Sequence, residues 1–186
     1  REEIGNKVGI GATLNNIGII YKEQGNYEQA LDYYSKSLKI KEELGNKKGI
    51  ASSLNNIGII YANKGEFENA LDHLLQSYEN FEKIEDKRGM AASLNGVGVI
   101  YHNMKEIKLA LTNLNRSYEL FKDINMKRGM AASLNSIGSI YQEVGDFEMA
   151  FDYLTKSHNI FKELNNEFAV AATLNGLGKY YLDIGD

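Results

Sequence analysis

The chain has no cysteine and no proline among its 186 residues. Without cysteine there are no disulfides and no thiolate metal ligands. That absence suits a reducing compartment, so a cytoplasmic location is expected. Without proline, which averages about 5% of residues, no helix is stopped by the loss of a backbone donor. The terminators must then be glycine, asparagine and aspartate. No apolar run approaches the ~18 residues needed to span a bilayer, so no membrane partner is expected. Positive charge is also short, with 21 Lys and Arg against 25 Asp and Glu and a net charge of −4. Non-specific nucleic-acid binding needs a dominant basic field, so nucleic acid is not expected either.

Chemistry-bearing motifs are equally scarce. The histidines are His73, His102 and His158. They fall at different helical phases, so no two share a face at metal-ligand spacing. There is no nucleophile motif, no glycine-rich loop after a strand and no His-Glu-x-x-His. Paired carboxylates such as Glu42-Glu43 read as a solvated helix face. The expectation is a chain that is not an enzyme, with no catalytic residue, no bound metal and no cofactor.

What the chain does have is a period of forty residues without insertion. Leu14-Asn15 returns as Leu54-Asn55, Leu94-Asn95, Leu134-Asn135 and Leu174-Asn175. Gly18 and Tyr21 return at each step, and Ala30 returns as Ala70, Ala110 and Ala150. A fixed period in this range marks a solenoid of stacked units, each contacting its neighbours. Within one unit, Leu14, Ile17, Gly18 and Tyr21 mark one face of a first helix. Gly25-Asn26 then provides a stop and an N-cap. Tyr27, Ala30, Leu31, Tyr34, Leu38 and Leu44 mark the stripe of a second helix. The pattern predicts units near 5–44, 45–84, 85–124, 125–164 and a partial 165–186, about nine helices in a single array.

Two details of the pattern are informative. Glycine inside a helix costs ~1 kcal/mol relative to alanine, so Gly18 and its repeats imply close helix packing, with Ala30 and Ser37 as the facing small positions. The third unit is irregular. Lys105 stands where a stop glycine is expected, either as drift or as a flexing point, and a lysine at positive φ is strained by ~1 kcal/mol.

The run Leu14-x2-Ile17-Gly18-x2-Tyr21 followed by Ala30-x3-Tyr34 resembles the tetratricopeptide repeat, with leucine in place of the usual first tryptophan. The likeness covers essentially the whole chain. It departs in lacking the terminal proline and in its longer period. That longer form, with the lead-in from Gly45 to Ala51, resembles Pins-type adaptors, kinesin light chains and the repeat arrays of bacterial signalling proteins. The resemblance implies an all-α, right-handed α-solenoid whose first helices line a concave groove for a protein or extended peptide. Arg1 to Ile4 occupy the phase of a second-helix end, and the last unit stops after its first helix. The chain therefore reads as a piece of a longer array, with self-association through uncapped ends also possible.

On the implied groove face three features stand out. Ile19, Ile59 and Val99 form an apolar row, either a partner's anchor or a surface covered by neighbouring helices. Asn15, Asn55, Asn95, Asn135 and Asn175 form a carboxamide ladder that could clamp a peptide backbone or tie repeats together. Asn16 and Asn56 point more squarely into the groove, and His102 reads as a groove residue. Lys47-Lys48, Lys87-Arg88 and Lys127-Arg128 place a basic pair at the start of each internal first helix, against the helix dipole. They suit either an acidic partner or salt pairing with residues of the Glu42-Glu43 kind in the preceding helix. His158 replaces Leu38 and Tyr78 in the buried stripe and reads as a satisfied core histidine. Three functions fit: a docking or sensory segment of a bacterial signalling protein, a receptor for a small effector or signalling peptide, or a self-associating spacer.

Overall fold

The computed structural model describes the backbone of residues 2–184 and the side chains of residues 5–179, 181 and 182. Among these residues it contains nine helices and no strand: α1 Glu2–Glu23, α2 Tyr27–Glu43, α3 Lys47–Asn63, α4 Phe67–Glu82, α5 Lys87–Asn103, α6 Ile107–Asp123, α7 Lys127–Glu143, α8 Phe147–Glu163 and α9 Glu167–Ile184. The fold is an all-α solenoid of helix–turn–helix units. It divides into two compact bodies, residues 1–100 and 101–186.

The turns explain how the chain manages without proline. A left-handed residue recurs every twenty positions: Gly25, Gly45, Gly65 and Gly145, and the non-glycines Glu85, Lys105, Asn125 and Asn165. Each is followed by a residue whose N–H reaches back five positions, as Asn26 N–H does to the Tyr21 carbonyl at 2.8 Å and Asp86 N–H to the Phe81 carbonyl at 3.0 Å. This pairing satisfies the last carbonyls of the outgoing helix. Lys105 does take the strained conformation, at φ 66°, but it is not alone. Glu85 at φ 55° breaks the glycine rule as well.

Side-chain capping is uneven. Asn46, Asp86, Asp146 and Asn166 accept hydrogen bonds from the N–H groups of Gly49, Gly89, Met149 and Ala169. Asn26, expected to cap α2, makes no such bond. The N-terminus also differs from its expected phase. Instead of a second-helix end before Gly5-Asn6, α1 runs through them unbroken. Nothing lies within 4 Å of where a Gly5 Cβ would stand, so no packing forces a turn and the hydrogen-bond ladder simply propagates. Arg1 and Gly185-Asp186 lie outside the described residues.

In the first body α3 buries two faces. Its Gly58 meets Leu74 of α4, while Ile57 and Ile60 join Ala30 and Tyr34 of α2 in one cluster. In the second body Ile137 and Ile140 of α7 do the same with Ala110 and Leu114 of α6. Each such isoleucine contributes roughly 1.5–3 kcal/mol by leaving water. Ile20, at the matching place on α1, is 53% exposed.

The repeated glycines are close-contact points, and the nearest atoms belong mostly to a larger side chain than the expected alanine and serine. A Cβ on Gly18 would stand 2.7 Å from the Tyr34 ring, on Gly58 2.7 Å from Leu74 Cγ, and on Gly138 2.8 Å from Leu154 Cγ. The side chain four after each alanine makes the closest contact because it is long enough to reach across, and at Gly58 the Ala70 carbonyl oxygen stands 3.2 Å away as well. Gly178 is the exception, with nothing within 4 Å.

The serine column has its own role. Ser37, Ser77 and Ser157 are fully buried. They donate to the carbonyls of Gly11, Ala51 and Ala131 at 2.7–2.8 Å. With its proton on Ala51, the Ser77 hydroxyl accepts from Ser93 at 2.9 Å. A polar seam thus runs through an otherwise apolar core with its donors satisfied.

Candidate functional site

The outward face of α1, α3 and α5 in the first body carries the richest set of groups. Two adjoining clefts open there. One, about 300 Å³, is lined by Ser52, Asn55, Phe81, Asp86, Arg88 and Ala92 among others. The other, about 370 Å³, is lined by Asn15, Asn16, Lys41, Asn46 and Gly49. Lys48, Ser52 and Asn56 belong to both.

Two carboxamides of this face are already engaged with each other. Asn15 Oδ1 accepts from Asn56 Nδ2 at 3.3 Å and from Lys41 Nζ at 3.5 Å. Asn55 Oδ1 lies 3.4 Å from the Ser93 hydroxyl oxygen. The apolar row is graded. Ile19 is half-buried and packs on the Ala30–Tyr34–Ile57–Ile60 cluster. Ile59 is half-buried, and Val99 is 37% exposed. Asn16 is exposed, while Asn95 is half-buried.

Two lysines of the basic pairs meet carboxylates that lie outside the preceding helix. Lys48 Nζ lies 2.7 Å from Asp86, the residue capping α5. In the second body Lys127 Nζ lies 2.8 Å from Glu163, at the end of the following helix α8. Antiparallel packing brings the start of a first helix beside the end of the helix after it, which sequence proximity does not suggest. Lys48 and the Gly89 N–H together hold the Asp86 carboxyl below its ordinary range. Lys47, Lys87, Arg88 and Arg128 are exposed at helix starts.

In the second body His102 Nε2 meets Glu143 at 2.7 Å, and Lys105 binds the same carboxylate. Lys105 and His102, in that order, hold the Glu143 pKa low. His102 is thus tied to α7. His158 is half-buried and bonds the Thr173 hydroxyl at 3.0 Å. Asn135 is half-buried and Asn175 exposed. No group of three or more His, Cys, Asp or Glu among the described residues could hold a metal ion. Among the described residues no helix is long and apolar enough to cross a membrane.

Sequence reasoning passed over Lys41 and Phe81. Lys41 stands where Phe81, Phe121 and Phe161 stand in the other units. That break in an aromatic column was the available signal.

Tetratricopeptide repeat models match residues 11–44, 49–123 and 129–186. The chain belongs to the tetratricopeptide repeat family. It is a protein-interaction or sensory repeat module. Among curated proteins none matches the sequence. Among solved structures it is similar to aspartyl phosphate phosphatase F from Bacillus subtilis, with 14% identity and a TM-score of 0.87, covering 94% of this chain and 46% of that one. A Rap protein complexed with competence and sporulation factor gives 19% identity and a TM-score of 0.83, covering 92% and 48%. The signal transduction ATPase with a tetratricopeptide repeat sensor from Pyrococcus horikoshii gives 21% and 0.78, covering 92% and 27%. At such identities the likeness is one of fold. The chain spans about half the length of the phosphatase and the Rap protein.

Proposed function

We propose that the chain is a docking module that takes a protein or extended peptide along the outward face of its first helices, as the sensory or docking part of a larger cytoplasmic bacterial signalling protein. The observation that carries this reading is the face of α1, α3 and α5. It combines two adjoining clefts, carboxamides that can both donate and accept, and an exposed apolar residue, Val99. An extended chain needs that mixture: donors and acceptors for its backbone, and apolar contact for alternate side chains. The fold-level likeness to a Rap protein complexed with competence and sporulation factor and to an ATPase with a tetratricopeptide repeat sensor supports it. The cleft volumes also suit a short effector regulating an attached output domain, which is the second reading.

The test is a peptide selected from a displayed library against the full chain. Val99→Lys should weaken its binding at least about thirtyfold, since a lost apolar anchor costs ~2 kcal/mol or more. The circular dichroism spectrum and unfolding midpoint should not change. Unchanged binding with the fold intact would move the docking surface off this face.

A further inference from the structure

Asparagine is followed by glycine at two places, Asn95-Gly96 in α5 and Asn175-Gly176 in α9, at the same phase of the repeat. An asparagine carboxamide can react with the backbone nitrogen that follows it, and glycine obstructs the approach least because it has no Cβ. The glycine amide first loses its proton to solvent. Its nitrogen then attacks the asparagine Cγ: an N–Cγ bond forms, the Cγ–Nδ2 bond breaks, and Nδ2 leaves as ammonia. Water adds to either carbonyl of the cyclic imide and cleaves its bond to nitrogen. Cleavage at Cγ yields aspartate, and cleavage at the main-chain carbon yields isoaspartate, with the chain now running through Cγ. Carboxamide and water become carboxylate and ammonium, so no oxidant or further reactant is needed.

A closed helix forbids the first step. Its N–H groups are bound to carbonyls four residues back, and the imide ring needs a ψ far from the helical value of about −42°. Reaction therefore starts only from the opened segment, and its rate follows how often that segment opens. The two helices differ in how firmly they are closed. In α5, Leu94, Val97 and Ile100 are 2%, 0% and 1% exposed, and Asn95 is half-buried. In α9, Leu174, the counterpart of Leu94, is 52% exposed, and Asn175 is exposed. Thr173 is the one buried residue of α9 among those described. Packing around the glycines differs in the same sense: a Cβ would stand 2.9 Å from Leu74 at Gly96 and 3.2 Å from Leu154 at Gly176. Gln142 of α7 donates to the Gly176 carbonyl at the long distance of 3.3 Å.

We propose that Asn175-Gly176 is a site of spontaneous deamidation, while the same pair in α5 is kept intact by its packing. Conversion places a negative charge at position 175, in the column where Asn15, Asn55, Asn95 and Asn135 carry neutral carboxamides. Isoaspartate also adds one carbon to the main chain, so the hydrogen-bond ladder of α9 loses register beyond that position. The Gln142 tie to the Gly176 carbonyl goes with it. The modification runs one way, and it releases the second half of α9.

The experiment ages the full chain in mildly alkaline buffer and follows both sites by peptide mass mapping and by labelling with an isoaspartyl methyltransferase. Synthetic peptides spanning residues 91–99 and 171–179 supply the rates without a fold. Position 175 should convert at least about tenfold faster than position 95, because the opening that admits reaction there is lower in free energy. At each site, the slowing relative to the peptide should equal the hydrogen-exchange protection of the Gly96 or Gly176 N–H within about threefold. In Gly178→Ala, which adds helix propensity in open space, conversion at 175 and exchange at Gly176 should change by one common factor. The isoaspartate form, separated by ion exchange, should lose exchange protection from Gly176 to Ile184. Equal rates at the two sites, an intact Asn175 when its peptide is exhausted, or conversion that departs from Gly176 exchange would each overturn the proposal. An isoaspartate form that keeps its protection would overturn the release of α9.

Discussion

Adding one methyl group at Gly58 should change sign in its effect according to what stands at position 74. A Cβ there would lie 2.7 Å from Leu74 Cγ and 3.2 Å from the Ala70 carbonyl oxygen. Carbon atoms prefer about 3.5–4.0 Å, so α3 and α4 must part or Leu74 must leave a site where it is 1% exposed. Overpacking of this kind costs about 1–3 kcal/mol, and the gain in helix propensity from glycine to alanine returns about 1 kcal/mol. Gly58→Ala should therefore lose about 0–2 kcal/mol. Leu74→Ala alone should lose about 2–5 kcal/mol. In the double variant the clash with Leu74 is gone, only the contact with the Ala70 carbonyl remains, and the propensity gain is kept. The double variant should thus be more stable than Leu74→Ala by about 1 kcal/mol or more. Urea unfolding of the four proteins followed by circular dichroism measures the cycle. Effects that add within about 0.5 kcal/mol would refute close contact as the reason for this glycine. Gly178→Ala, with open space around it, serves as the control and should be neutral or gain up to about 1 kcal/mol.

Glu85→Gly should raise the unfolding midpoint, because the residue sits at φ 55° and left-handed backbone costs a non-glycine about 1–2 kcal/mol; no gain would mean that its side chain repays the strain. Asp86 has a depressed folded pKa, so its contribution is fully present above its unfolded pKa near 4 and is lost as pH falls through the lower folded value. Asp86→Asn should accordingly flatten the acid limb of the stability–pH curve, measured by thermal melts from pH 6 downward, and an unchanged slope would refute the pairing with Lys48. Helix α9 exposes Phe168, Leu174, Tyr181 and Leu182, the first at 88%. Hydrogen exchange should find it opening before α3 and α7, whereas equal protection would point to self-association.

Helix order and turn positions were readable because the same residues recur at forty-residue spacing and the glycines mark reversals. Glu85 was not readable as a left-handed position, since nothing about a glutamate advertises positive φ. A single amphipathic stripe also understated burial. Ile60 and Ile140 lie off that stripe, yet are fully buried, because a helix inside a solenoid has a neighbour on each side. The serine column was visible as a repeat, but its carbonyl partners lie 26 residues away and emerge only from packing. On the candidate face, the carboxamides and basic pairs could be located from sequence. Which carboxylate each lysine meets could not, because antiparallel helices join residues 36–38 apart. Lys41 was overlooked because a lysine on a second helix reads as a solvated charge until the cleft it lines is seen.

The even beat of the left-handed residues bears on how such a chain can change length. Positions 45 and 85 carry the same backbone reversal, at φ 62° and 55°, and flank one complete pair of helices. Excising residues 45–84 would join Leu44 to Glu85 and keep every later side chain at its original rotation. Removing a single residue inside α3 would instead turn everything after it in that helix by about 100° and exchange buried for exposed positions. Length is therefore quantised for this architecture. It tolerates the gain or loss of a whole forty-residue block far better than that of one amino acid, and the breadth of surface offered to a partner grows or shrinks in the same steps.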